Sequence, residues 1–169
     1  MFTDQFTRSL SNAHLPNART AESNDVIFLY FSAHWCPPCR GFTPQLAKVY
    51  KEFKASDSDV KAEVVFVSGD RDDASFREYF DEMPWLALSY DQRQVNRGLN
   101  EKFECEGIPY LVAVDAKTGE VLSKQGRSIV MKHGKNFAKF AIEAKKLKAE
   151  AQKGIKDLSI LGSNVTDEN

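Results

Sequence analysis

Residues Val26 to Ser32, VIFLYFS, form an apolar run without alternation, which predicts a strand buried on both faces of a sheet. Further on, Gln45 to Lys54 carry Leu46, Val49, Tyr50 and Phe53 at helical spacing, and Pro44 predicts a kink in that helix. A second buried strand is predicted at Glu63 to Ser68 and a helix from about Asp73 to Glu82, ended by Pro84. Trp85 to Leu88 reads as a short strand, and Gln92 to Phe103, with Val95, Leu99 and Phe103 four apart, as another helix. Tyr110 to Asp115 and Val121 to Lys124 flank the loop Asp115 to Glu120 as a β-hairpin. From about Lys135, the residues Phe137, Phe140, Ala141, Ala144, Leu147 and Ala151 follow the i, i+3, i+4, i+7 pattern of an amphipathic helix, with Gly154 as its stop. Strands alternating with helices, then a hairpin and a final helix, predict an α/β fold with a central mixed sheet and helices on both faces. One domain over residues 1–156 and a flexible tail over 157–169 are expected.

Composition changes this picture little. Leu, Ile, Val and Phe make up a quarter of the 169 residues, enough to collapse around a core. With 23 basic and 24 acidic side chains the net charge is −1, so no bulk field draws the protein to nucleic acid or an anionic membrane. The charge is uneven, however: eight Lys against Glu143 and Glu150 between Met131 and Lys156 make the C-terminal helix Lys-rich, a pattern read as a solvated face. The longest apolar run, Val26 to Phe31, is far short of the ~20 residues of a membrane-spanning helix. The N-terminus, Met1-Phe2-Thr3-Asp4, has no basic-then-apolar signal pattern, so the expected location is the cytoplasm, with the nucleus as the alternative. A monomer is expected.

The chemistry is concentrated in Cys36-Pro37-Pro38-Cys39, where the first strand gives way to a helix. In a first helical turn, i, i+3 spacing brings the two side chains onto one face at ~5–6 Å, within reach of a disulfide. The partial positive charge of the helix N-terminus favours a thiolate on the more exposed sulfur, which makes Cys36 the nucleophile and Cys39 the resolving thiol. Pro37 and Pro38 stiffen the turn but remove two N–H groups, leaving the Cys39 amide as the donor to the Cys36 sulfur. A structural zinc site is not expected, because Cys105 and the scattered His14, His34 and His133 supply no second ligand pair. No cofactor is expected beyond the cysteine pair itself. Cys105 reads as a buried, inert thiol, or, if exposed, as a site of glutathionylation. Asp70, Asp72 and Asp73 read as turn and helix-cap chemistry, and His34 as a rim residue.

The segments YFSAHWCPPCRGFTPQL (30–46), VVFVSGDRDD (64–73), YFDEMPWLAL (79–88) and EGIPYL (106–111) resemble the thioredoxin superfamily, and within it the tryparedoxin and nucleoredoxin group. The resemblance covers residues 24–130. It implies a thioredoxin fold and a thiol–disulfide oxidoreductase that reduces protein disulfides, with Cys36 and Cys39 at the catalytic positions. Trp35 matches the flanking aromatic and Ile108-Pro109 the cis peptide beside the active site, so that Trp35, Pro37, Pro38, Ile108 and Pro109 shape the substrate groove. Glu106 and Arg127 resemble positions near a bound thiol cosubstrate. The resemblance further implies a glutathione-like or dithiol reductant and peroxiredoxin-type acceptors among disulfide-containing proteins. A redox-sensing binding module, regulating a signalling partner through the state of the cysteine pair, is the alternative reading. Tyr30 stands where many thioredoxins carry a buried acid, and a phenol with an ordinary pKa near 10 is a poor proton relay.

Overall fold

The structure, a computed structural model, describes residues 23–163. Seven consecutive buried residues make β1 (Val26–Ser32) the centre of the sheet. Because successive side chains point to opposite faces, Val26, Phe28 and Tyr30 enter one core and Ile27, Leu29 and Phe31 the other. β1 leads into α1 (Pro37–Lys54), followed by β2 (Ala62–Ser68), α2 (Asp73–Phe80), β3 (Leu86–Ala87), α3 (Arg93–Lys102), β4 (Tyr110–Asp115) and β5 (Val121–Ser123). The chain then forms α4 (Gly126–His133), a 3-10 turn (Gly134–Asn136) and α5 (Phe137–Ser163).

The five strands are ordered β3-β2-β1-β4-β5. β1 is parallel to β2 and antiparallel to β4, β3 is parallel to β2, and β5 is antiparallel to β4, so the sheet is mixed as predicted. Phe42, Leu46, Tyr50 and Phe53 of α1 cover one face together with Phe76 and Tyr79 of α2, Val130 of α4, and Phe137, Ala138 and Ala141 of α5. Leu99 of α3 and the adjoining Phe103 cover the other. Trp85 is core, packed edge-on against Tyr30 and Tyr50. Among the described residues no helix is long and apolar enough to cross a membrane.

Three features differ from the sequence reading, the first being the apolar stripe of α5, in which Phe137 and Ala141 are buried but Phe140 and Leu147 are exposed. α4 was not predicted; it is only eight residues long and has no side-chain N-cap. It is held by tertiary packing, with Gly126 so close to β4 that a Cβ there would stand 2.5 Å from the Leu111 carbonyl oxygen. Gly154 does not stop α5, which runs through it to Ser163. Its φ is not in the left-handed region that makes glycine a helix terminator, so it is an interior residue with open space around it. Residues 164–169 of the predicted tail lie outside the described residues.

Gly126→Ala is expected to lower stability by about 1–3 kcal/mol through overpacking. Gly154→Ala should instead raise it by about 0.5–1 kcal/mol through helix propensity. Denaturant titration of the two variants reads both signs, and a neutral Gly126→Ala would refute the close approach.

Candidate active site

Cys36 is the N-cap of α1 and Pro37 and Pro38 occupy its first two positions, where missing N–H groups cost no helical bond. The helix puts Cys36 and Cys39 5.2 Å apart at Cα, joined as a disulfide. The Cys39 amide donates to Cys36 Sγ at 3.3 Å, the donor expected from the two prolines. Cys36 is 5% exposed and Cys39 fully buried, so Cys36 lies nearer the surface of the two. The Ile108-Pro109 peptide is cis, and the Ile108 carbonyl oxygen lies 3.8 Å from Cys36 Sγ. Ile108 also packs against the cluster of Ala33, Cys36 and Cys39.

The loop before Cys36 is held from β2. Parallel pairing sets Ser32 opposite Ser68, and the Gly69 amide donates to the Ser32 carbonyl at 2.8 Å. Asp70, only 4% exposed, accepts from the His34 amide (2.8 Å) and from the Ser68 hydroxyl (2.8 Å). Trp35, 53% exposed, is fixed by its indole N–H, which donates to the Gly69 carbonyl at 3.0 Å. Asp70 is thus a clamp on the nucleophile loop, a role the sequence reading missed because its partner lies 36 residues away. Asp72 is the N-cap of α2, as read, and Asp73 pairs with Arg77.

Under the disulfide runs a chain of buried hydroxyls. Tyr30 and Thr43 lie 2.7 Å apart, Thr43 and Tyr79 2.5 Å, and Tyr79 and Ser32 2.9 Å. Thr43 also donates to the Cys39 carbonyl at 3.0 Å. Burial pushes the Tyr30 phenol far above its ordinary range, so it stays neutral and serves as a hydrogen-bond donor. The half-buried His34 stacks on the Tyr79 ring, with centroids 5.4 Å apart.

Arg127, on α4, donates to the Pro109 carbonyl at 3.3 Å, and its guanidinium lies 5.2 Å from the centroid of the Phe42 ring. It lines a groove of about 560 Å³ with Pro38, Gly41, Phe42, Gln45 and Met131. Pro38, Pro109 and Arg127 are therefore gathered beside the disulfide. Glu106 is exposed on the turn before Pro109 and acts electrostatically on Lys124 and Tyr110; among the described residues no hydrogen bond ties it to the groove. Cys105 is half-buried and free, and burial raises its thiol pKa. Among the described residues no group of three His, Cys, Asp or Glu side chains could hold a metal ion.

A family model described as Thioredoxin-like matches residues 24–121. Tryparedoxin of Trypanosoma brucei brucei is 44% identical over 114 residues, which span 66% of this chain and 77% of that protein. Probable nucleoredoxin 1 of Arabidopsis thaliana is 44% identical over 134 residues, 78% of this chain, but the match spans only 22% of that longer protein. Among solved structures, native tryparedoxin I from Crithidia fasciculata superposes with a TM-score of 0.68 at 35% identity, covering 80% of this chain and 94% of that one. Tryparedoxin II complexed with glutathionylspermidine gives 0.70 at 33% identity, covering 80% and 95%.

Thr43→Val breaks the hydroxyl chain at its centre and is expected to cost about 1–3 kcal/mol, because buried phenols lose their partner. Thr43→Ser, which keeps the hydroxyl, should cost clearly less. Thermal unfolding of both variants decides it; equal losses would mean that the methyl group, not the hydroxyl, matters.

Proposed function

The chain belongs to the thioredoxin-like family, and on that premise we propose that it reduces disulfides in other proteins by exchange through Cys36 and Cys39. The reading is carried by one observation: a disulfide at a helix N-terminus whose first cysteine lies nearer the surface than the fully buried second. In the reduced protein the Cys36 thiolate attacks a sulfur of the substrate disulfide, forming a mixed disulfide and releasing one substrate thiolate. The Cys39 thiolate then attacks Cys36 Sγ, releasing the second substrate thiolate and leaving the Cys36–Cys39 disulfide. Two electrons have passed to the substrate, and an external dithiol restores the pair. The Cys39 amide and the helix N-terminus stabilise the negative charge of the Cys36 thiolate before it attacks.

Trp35, Pro37, Pro38, Ile108 and Pro109 form the walls against which the substrate chain lies. The cis proline carries no N–H of its own, so the backbone beside Cys36 stays available for β-like pairing with that chain. Arg127 takes a carboxylate of the reductant, and Glu106 stands on the rim. The likeness to tryparedoxin II bound to glutathionylspermidine supports a low-molecular-weight thiol as electron donor; peroxiredoxin-type proteins are the proposed acceptors. The site of action is the cytoplasm.

Cys36→Ser is expected to abolish insulin reduction with dithiothreitol as donor, and Cys39→Ser to accumulate a mixed disulfide through Cys36. Retained turnover in Cys36→Ser would end the reductase reading. In the reduced protein, iodoacetamide should modify Cys36 first at neutral pH and Cys105 only as pH rises, because burial favours the protonated Cys105 thiol. Peptide mapping after short labelling reads this order, and early Cys105 labelling would contradict it.

A further inference from the structure

The acids adjoining Arg71 in the chain are all engaged: Asp70 with the His34 amide and Ser68, Asp72 with Ser75, and Asp73 with Arg77. Arg71 has no carboxylate partner among the described residues. Its guanidinium is instead placed 5.6 Å from the centroid of the exposed Trp35 ring. Arg127 also lacks a carboxylate partner among the described residues and lies against Phe42. A guanidinium stacked on an aromatic face keeps its N–H edge free for a carboxylate. It has also lost part of its side-chain freedom before any partner arrives.

These two cations lie on opposite sides of the dithiol. β2 and β4 flank β1 in the sheet. Arg71 belongs to the loop that leaves β2, whereas Arg127 is bonded to Pro109 at the entrance to β4. Cys36 and Ile108 lie between them. Glu106 acts on Lys124 and Tyr110, on the β4–β5 side, so it does not neutralise Arg71.

We propose that the cleft recognises disulfides flanked by carboxylates, and that Arg71 is a specificity-determining residue that receives the acidic side chain on the Trp35 side. The partner is thus an acidic, cysteine-bearing peptide segment. This inference rests on the reductase reading and adds to it the charge of the substrate.

The test uses the full chain, dithiothreitol as donor, and three disulfide-linked peptides identical except for Asp, Ser or Lys beside the cysteine. At low salt the Asp peptide should be reduced about three- to tenfold faster in kcat/KM than the Ser peptide, the range of one or two exposed ion pairs. High salt should erase the difference. Arg71→Glu should invert the order, so that the Lys peptide becomes the better substrate, an outcome a merely structural role would not produce. Equal rates on the three peptides, or an Asp preference that survives Arg71→Glu, would overturn the proposal while leaving the reductase reading intact. If neither insulin nor any of the peptides is reduced, the reductase reading fails and this inference with it.

Discussion

The parallel pairing of β1 with β2 is the constraint on which the site depends. It sets Ser32 opposite Ser68, so both strands end at the same level of the sheet. Two chain segments then leave side by side, one carrying His34, Trp35 and Cys36, the other Gly69, Asp70 and Arg71. Three bonds that orient the nucleophile loop cross this narrow gap: Gly69 to Ser32, His34 to Asp70, and Trp35 to Gly69. A slip of one residue in the register would reverse the faces of β1 and separate these partners. The largely apolar character of VIFLYFS and EVVFVS, buried on both sides, is therefore as much a condition of the chemistry as the cysteines are.

Antiparallel pairing with β4 supplies the opposite wall. It brings the turn before Tyr110, and with it the cis Ile108-Pro109 peptide, to the same end of the sheet. Arg127 reaches this wall only because Gly126 lets α4 lie almost on the Leu111 backbone. The disulfide is thus bounded by groups from the end of β1, the loop after β2, the turn before β4 and the start of α4. No single element makes the site. That explains how a helix N-terminus, available to any α/β protein, becomes a selective cleft here.

What was legible in the sequence follows the range of the forces involved. β1 and β2 declare themselves as unbroken apolar runs, α1 through its helical spacing, and the cysteine pair through its place at a strand-to-helix junction. Pro37 and Pro38 indicated which amide would face Cys36, because deleting two donors is a local fact. Asp70 was different: beside Asp72 and Asp73 it looks like one more turn residue, and only the fold reveals that the His34 amide needs it. α4 was hidden for the same reason, since its eight residues owe their helicity to a contact with Leu111 and not to capping. Gly154 misled because glycine ends a helix only where the backbone turns left-handed, which spacing does not reveal.

The hydroxyl chain beneath the disulfide has a consequence in proton bookkeeping. When the one Thr43 hydroxyl proton goes to the Cys39 carbonyl, Tyr30 and Tyr79 both donate to Thr43 and Ser32 to Tyr79, while that carbonyl also stands 3.5 Å from the Tyr30 hydroxyl as a second acceptor. The four dipoles converge on the backbone of the enclosed cysteine, and the network is polarised in one direction without containing a formal charge. A buried acid at position 30 would have offered a reservoir that fills and empties with pH. In its place the protein holds a network of buried hydroxyls anchored through Thr43 to the backbone of Cys39.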